Sequence, residues 1–159
     1  MLEVWDCVGA LVNMRYTDSQ IERIGTARFA ERLYRENIKV SYPDIDDGVD
    51  IIVYQDRPAT NKFRAVPIQL KCYRQSGFYT DTKYLGISDL FIVYLWNVTE
   101  DANLRMFCMP YGAAEEIVSE KKWKRDKKGR VAKSSETRPL RDSLAIYETN
   151  VLHTSLFDR

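Results

Sequence analysis

Three side chains in the middle of this sequence have the types and spacing to work on phosphate. Asp50 leads the apolar run Ile51-Ile52-Val53, and Gln69 and Lys71 alternate with Ile68, Leu70 and Cys72 in the stretch Val66 to Tyr73. In a strand, alternate side chains share a face, so Ile68, Leu70 and Cys72 belong to a core. Gln69, Lys71 and Tyr73 share the other side, with Gln69 and Lys71 roughly 6.6 Å apart. If the two strands pair as neighbours, Asp50 approaches Gln69 and Lys71. A carboxylate, an amide oxygen and a strand carbonyl are hard oxygen ligands of the kind Mg²⁺ takes while keeping several waters. The lysine ammonium would stabilise charge on a phosphate, or position and deprotonate an attacking water.

The elements that must carry these residues are legible in outline. Residues 1–16 stay unassigned. Ser19 followed by Glu22 predicts a capping box opening a helix over residues 20–36, with Ile21, Gly25, Phe29 and Leu33 as its buried face. Residues 38–41 predict a short strand, and the Pro43- and Asp-rich stretch over 42–48 a turn. Strands follow over 49–54 and 63–73, joined by a loop containing Arg57, Pro58 and Asn61. The continuous apolar run over 90–96 predicts a strand buried on both faces. Another strand over 104–109, then Pro110, leads to a helix over 113–121. Residues 140–147 read as a returning strand or helix. The sum is an α/β domain around a mixed sheet.

Composition narrows the function classes. The chain has 159 residues, 45% hydrophobic and 30% charged, with a net charge of +1. That is one domain's length, and nucleic-acid affinity would have to come from local patches. Cys7, Cys72 and Cys108 are widely spaced, which predicts reduced thiols in a cytoplasmic protein rather than a disulfide or zinc site. The first residues carry Glu3 and Asp6 without a basic flank, unlike a signal peptide, and no apolar run is long enough for a membrane span. The single histidine, His153, argues against histidine-based nuclease chemistry and Ser-His-Asp triads.

One stretch breaks the composition. Over residues 121–133 lie Lys121, Lys122, Lys124, Arg125, Lys127, Lys128, Arg130 and Lys133, around Trp123. It reads either as a solvated hairpin or as a DNA-contacting one, and a Trp among basic residues favours nucleic acid. Lys83 and Tyr84, after the motif strand, are further candidates for phosphate contact.

The segments Ile24-Gly25-Thr26-Ala27, Asp47-Gly48-Val49-Asp50-Ile51-Ile52-Val53-Tyr54 and Pro67-Ile68-Gln69-Leu70-Lys71 together resemble the PD-(D/E)XK nuclease superfamily. The Gln-x-Lys form is similar to Mrr-like restriction nucleases and to a group of intron-encoded homing endonucleases. The resemblance covers roughly residues 19–110, with compatible motif spacing (69 − 50 = 19). It implies a single restriction-endonuclease-like domain over 1–159, with an αβββαβ core at about 17–121, the basic segment at 121–133 and a closing segment at 134–159. It also implies a Mg²⁺-dependent endonuclease (Mn²⁺ substituting) on double-stranded DNA, acting as a homodimer or higher homo-oligomer. Asp50 would bind metal, Gln69 would be the second-motif residue and Lys71 the catalytic lysine. Because Gln69 is neutral where most relatives have an acid, a carboxylate from the first helix is expected in the site: Glu22, whose helical angle lies between those of Phe29 and Leu33, or alternatively Glu31. The same core also serves structure-selective resolvases, repair nickases and RNA nucleases. A binding protein with a degraded site would equally carry Gln69.

Overall fold

A computed structural model describes residues 16–45, 47–57, 62–133 and 138–157; Cys7 and most of the unassigned first residues lie outside these. Helix α1 (Asp18–Arg35) starts one residue after Thr17, whose extended backbone lets its hydroxyl accept the Gln20 N–H (3.3 Å). Gln20 Oε1 accepts the Thr17 N–H in return (2.8 Å). This box replaces the expected one at Ser19 and Glu22: Ser19 is already inside the helix, and Glu22 is left without a capping role. Ile21, Gly25, Phe29 and Leu33 are buried as their spacing predicts, joined by Ala30. Asn37, at a φ of 57°, turns the chain out of the helix.

Strands β1 (Lys39–Ser41), β2 (Ile51–Arg57) and β3 (Lys62–Cys72) then form an antiparallel meander. The chain leaves the sheet for β4 (Phe78–Asp81) and a 3-10 turn (Thr82–Gly86), and returns as β5 (Phe91–Trp96), parallel to β3. Strand β6 (Arg105–Pro110) pairs antiparallel with β5, giving a mixed sheet in the order β1-β2-β3-β5-β6. All six side chains of β5 are buried, as a strand covered on both faces requires.

The αβββαβ order is not reproduced in full. Where it has an α-helix between its third and fourth strands, this chain has β4 and the 3-10 turn. Gly77 and Gly86 interrupt the intervening sequence, and the Asp81 carboxylate caps a single tight turn by accepting the Lys83 N–H (3.1 Å). Helix α2 (Tyr111–Glu120) follows β6 instead.

Two cores lie against the sheet. On one face α1 packs with α4 (Leu152–Phe157) over Ile51, Val53, Ile68, Leu70 and Val93. On the other, α2 and α3 (Arg138–Leu144) join β4 and its antiparallel partner β7 (Arg130–Lys133) over Ile92, Tyr94, Phe107 and Met109. The stretch over 140–147 is thus helical: α3 followed by a 3-10 turn (Ala145–Tyr147). Among the described residues no helix is long and apolar enough to cross a membrane.

Gly25 sets how closely α1 approaches β3. A Cβ there would stand 2.2 Å from Cys72 Sγ and 2.7 Å from Cys72 Cβ. Overpacking of that kind costs about 1–3 kcal/mol and is relieved only by moving the helix off the strand.

Candidate functional site

The antiparallel register pairs Ile51 with Ile68, so Asp50 arrives beside Gln69 at the point where β2 begins. Its N–H donates to the Ile68 carbonyl (2.9 Å), fixing the backbone. Its side chain continues the ladder: Oδ2 accepts the Leu70 N–H (2.7 Å) and a hydrogen bond from Gln69 Nε2. Gln69 is only 1% exposed, and its Oε1 is buried without a hydrogen-bond partner. A buried amide oxygen left this way carries a desolvation cost of about 1–3 kcal/mol.

Lys71 follows two residues on, on the same face as Gln69, and its Nζ stands 5.2 Å from the centre of the Tyr79 ring. The alternation read from the sequence holds here, since Ile68 and Leu70 enter the α1 core while Tyr73 packs on the opposite one. From α1, Glu22 and Thr26 reach the same place, one helical turn apart. With Asp50, Gln69, Lys71 and Tyr84 they line a cavity of about 230 Å³. Gly25, between them in sequence, permits this approach.

Burial pushes the Cys72 thiol up to about 12, reinforced by the nearby Glu22 and Asp50 carboxylates against Lys71. The thiol therefore stays protonated and is no nucleophile. The Tyr79 phenol also rises to about 12, through burial and then its hydrogen bond to Asp81 (3.0 Å). Tyr84 is raised by burial, partly offset by Lys83. Both phenols stay neutral hydrogen-bonding groups near neutral pH.

The two helix acids separate cleanly. Both are exposed, but Glu22 lines the cavity, whereas Glu31 bonds Arg35 (2.6 Å) and lines a different groove with Arg28, Arg32 and Asp101. Glu22→Gln is therefore expected to reduce any metal-dependent activity and shift its dependence to higher metal concentration, while Glu31→Gln leaves both unchanged. Metal titrations of the two variants side by side check this, and loss of activity in Glu31→Gln alone would reverse the assignment.

Among the described residues no three His, Cys, Asp or Glu side chains gather closely enough to form a metal cage. The donors that are gathered, the Asp50 carboxylate and the unpartnered Gln69 amide oxygen, still fit a hard cation that retains most of its waters. Softer metals would want the thiol or imidazole ligands that this cavity does not offer in reactive form.

The basic segment divides. Trp123 is not the exposed aromatic that its neighbours suggested: it is half-buried, edge-on to Phe78 at 5.4 Å, with Lys133 Nζ 5.2 Å from its ring centre. Arg125 donates to the Gly129 carbonyl (3.0 Å) and to Glu115, tying the turn to α2. Arg130 pairs with Asp126 (2.7 Å), holding the Asp126 carboxyl down at about 2. Lys121 closes α2 and is half-exposed, while Lys122, Lys124, Lys127 and Lys128 are exposed. A run of like charges in a sequence does not reveal which of its members find partners inside the fold.

Tyr79, Tyr84, Thr26 and Lys133 join this neighbourhood without having been singled out for metal or active-site roles from the sequence. Thr26 carries a faint signal, standing one turn after Glu22 on the helix. Tyr79 carries none, because β4 reaches Lys71 only through the crossover. Comparison with protein-family models, curated proteins and solved structures finds no match for this chain.

Proposed function

We propose that this chain is a Mg²⁺-dependent endonuclease of the PD-(D/E)XK type that hydrolyses phosphodiester bonds in double-stranded DNA. The observation that carries the reading is the meeting of Asp50, Lys71 and Gln69, with its unpartnered amide oxygen, around one cavity. Asp50 and Gln69, with Glu22 from α1, would hold the cation. Bound there, Mg²⁺ supplies neutralisation of the phosphate and a water of lowered pKa. Lys71 stabilises charge developing on the phosphate oxygens from its perch beside Tyr79. Gly25 keeps Glu22 within reach. Since a domain of this size holds one such site, cutting both strands calls for a symmetric homo-oligomer.

A second reading has an observation of its own. The Asp50 Oδ2 accepts two internal hydrogen bonds, as a purely structural carboxylate does. A nuclease-fold module that binds nucleic acid without cutting it would be built the same way. Incubating the pure protein with plasmid DNA and Mg²⁺ or Mn²⁺ separates the two. Cleavage that EDTA abolishes is the expected result; cleavage that survives EDTA would overturn the metal mechanism, and binding without cleavage would favour the second reading.

DNA affinity is expected to rest on the exposed lysines of the basic segment rather than on Arg125 or Arg130. Each phosphate contact released contributes a slope near −0.9 in the logarithmic salt dependence. If Lys124, Lys127 and Lys128 all reach phosphate, replacing the three with Gln should flatten the slope by roughly 2 to 3 and weaken cognate and random DNA alike. An unchanged slope would mean that the DNA lies elsewhere.

A further inference from the structure

A second and larger cleft adjoins the proposed site. Its volume is about 530 Å³, and it shares Glu22, Leu70, Lys71 and Cys72 with the smaller cavity. Lys71 thus stands on the wall between the two. One side of the cleft is the end of β3, continuing to Tyr73 and Arg74; the facing side is the β4–β7 ribbon, with Tyr79, Ala132 and Lys133. Tyr16 lines it from just before α1. Tyr16, Tyr73 and Tyr79 are each half-buried, so parts of their surfaces remain open.

We propose that this cleft binds the base of one unstacked nucleotide next to the scissile phosphate, so that the preferred substrate is DNA carrying an unpaired nucleotide at the cleavage point. The inference rests on the nuclease reading for the position of the phosphate, but not for the binding of the base. The size falls within the ~300–1,000 Å³ of sites that enclose a small organic group. The lining joins phenol rings, on which any base can stack, to the three cations Lys71, Arg74 and Lys133, which suit the attached phosphates. Asp18 and Glu22 stand on the α1 rim and would repel phosphate. The backbone of a bound strand is therefore directed away from that rim, between Lys71 and Arg74 on one wall and Lys133 on the other, and the base inward. A base stacked within an intact duplex cannot enter such a cleft; it must be flipped out or already unpaired.

The test uses the whole protein in EDTA, so that cleavage plays no part in the readout. The probes are a 2-aminopurine nucleotide in single-stranded DNA, in a one-nucleotide bulge and in a perfect duplex. The expected result is a fluorescence change on binding with the first two probes and tighter binding of the bulge than of the duplex. Ala132→Trp, which fills the exposed wall of the cleft, and Tyr79→Ala should each weaken single-strand binding about tenfold or more, while Tyr79→Phe, which keeps the ring, retains it. Circular dichroism and thermal melts establish that each variant is folded. Equal affinity for bulge and duplex, or unchanged binding by folded Ala132→Trp, would overturn the proposal. Base binding in a protein that never cuts would sink the nuclease reading and leave the cleft standing. Metal-dependent cleavage with no discrimination among the probes would do the reverse.

Discussion

Asp50→Asn is expected to lower Mg²⁺-dependent cleavage by about 10²–10³-fold or more, the scale of losing a principal electrostatic group in an active site. DNA binding should persist or tighten, because a carboxylate that repels phosphate has been removed. The fold should survive for a local reason. An Asn carbonyl can still accept the Leu70 N–H that Asp50 Oδ2 now accepts at 2.7 Å. The same Asn oxygen can go on accepting from Gln69 Nε2, because a single atom, Oδ2, takes both bonds in the wild type. One charge-assisted arrangement is exchanged for two neutral bonds, so the change in stability should stay within about 1–2 kcal/mol. Asp50→Ala has no such remedy: the Leu70 N–H and the buried Gln69 amide both lose their acceptor, and the loss should be larger. Denaturant unfolding of the two variants tests this order, and cleavage assays of folded Asp50→Asn test the chemistry. A fully active Asp50→Asn protein would remove Asp50 from the site.

Lys71→Ala should reduce cleavage by about 10²-fold or more while leaving the fold nearly as stable. Lys71 is half-exposed, and its ammonium lies over Tyr79, 5.2 Å from the ring centre, a contact worth about 0.5–1 kcal/mol at such a position. Lys71→Arg is expected to restore only part of the rate. The guanidinium keeps the charge but is larger and planar, so it cannot put that charge where the compact ammonium does. Thermal melts beside single-turnover cleavage separate these effects. Near-normal cleavage by folded Lys71→Ala would make Lys71 an ordinary surface lysine of the strand.

The sequence by itself determined those elements in which a local pattern coincides with burial. The fourfold spacing of Ile21, Gly25, Phe29 and Leu33 is the buried face of α1, and the alternation through Ile68, Gln69, Leu70 and Lys71 is the division of β3 between the α1 core and the polar face that holds the candidate site. The unbroken run in β5 is a strand covered on both sides, because alternate side chains point to opposite faces and all six are buried. Asp50 was legible as an acid set at the edge of a hydrophobic strand.

What the tertiary structure decided are the matters of partnership. Register brought Asp50 to Gln69: a one-residue slip between β2 and β3 would have sent the carboxylate to the other face, and no residue in either strand announces the register alone. The capping box formed at Thr17 and Gln20 rather than at the expected Ser19 and Glu22, which leaves Glu22 to face the cavity. Trp123, Arg125 and Arg130 look alike in a basic run. They differ in the fold because Phe78 comes from β4 to meet Trp123 and Glu115 from α2 to meet Arg125, while Arg130 finds Asp126 within its own turn. The Phe78 and Glu115 contacts depend on other elements of the chain, whose approach is fixed by packing rather than by any local propensity.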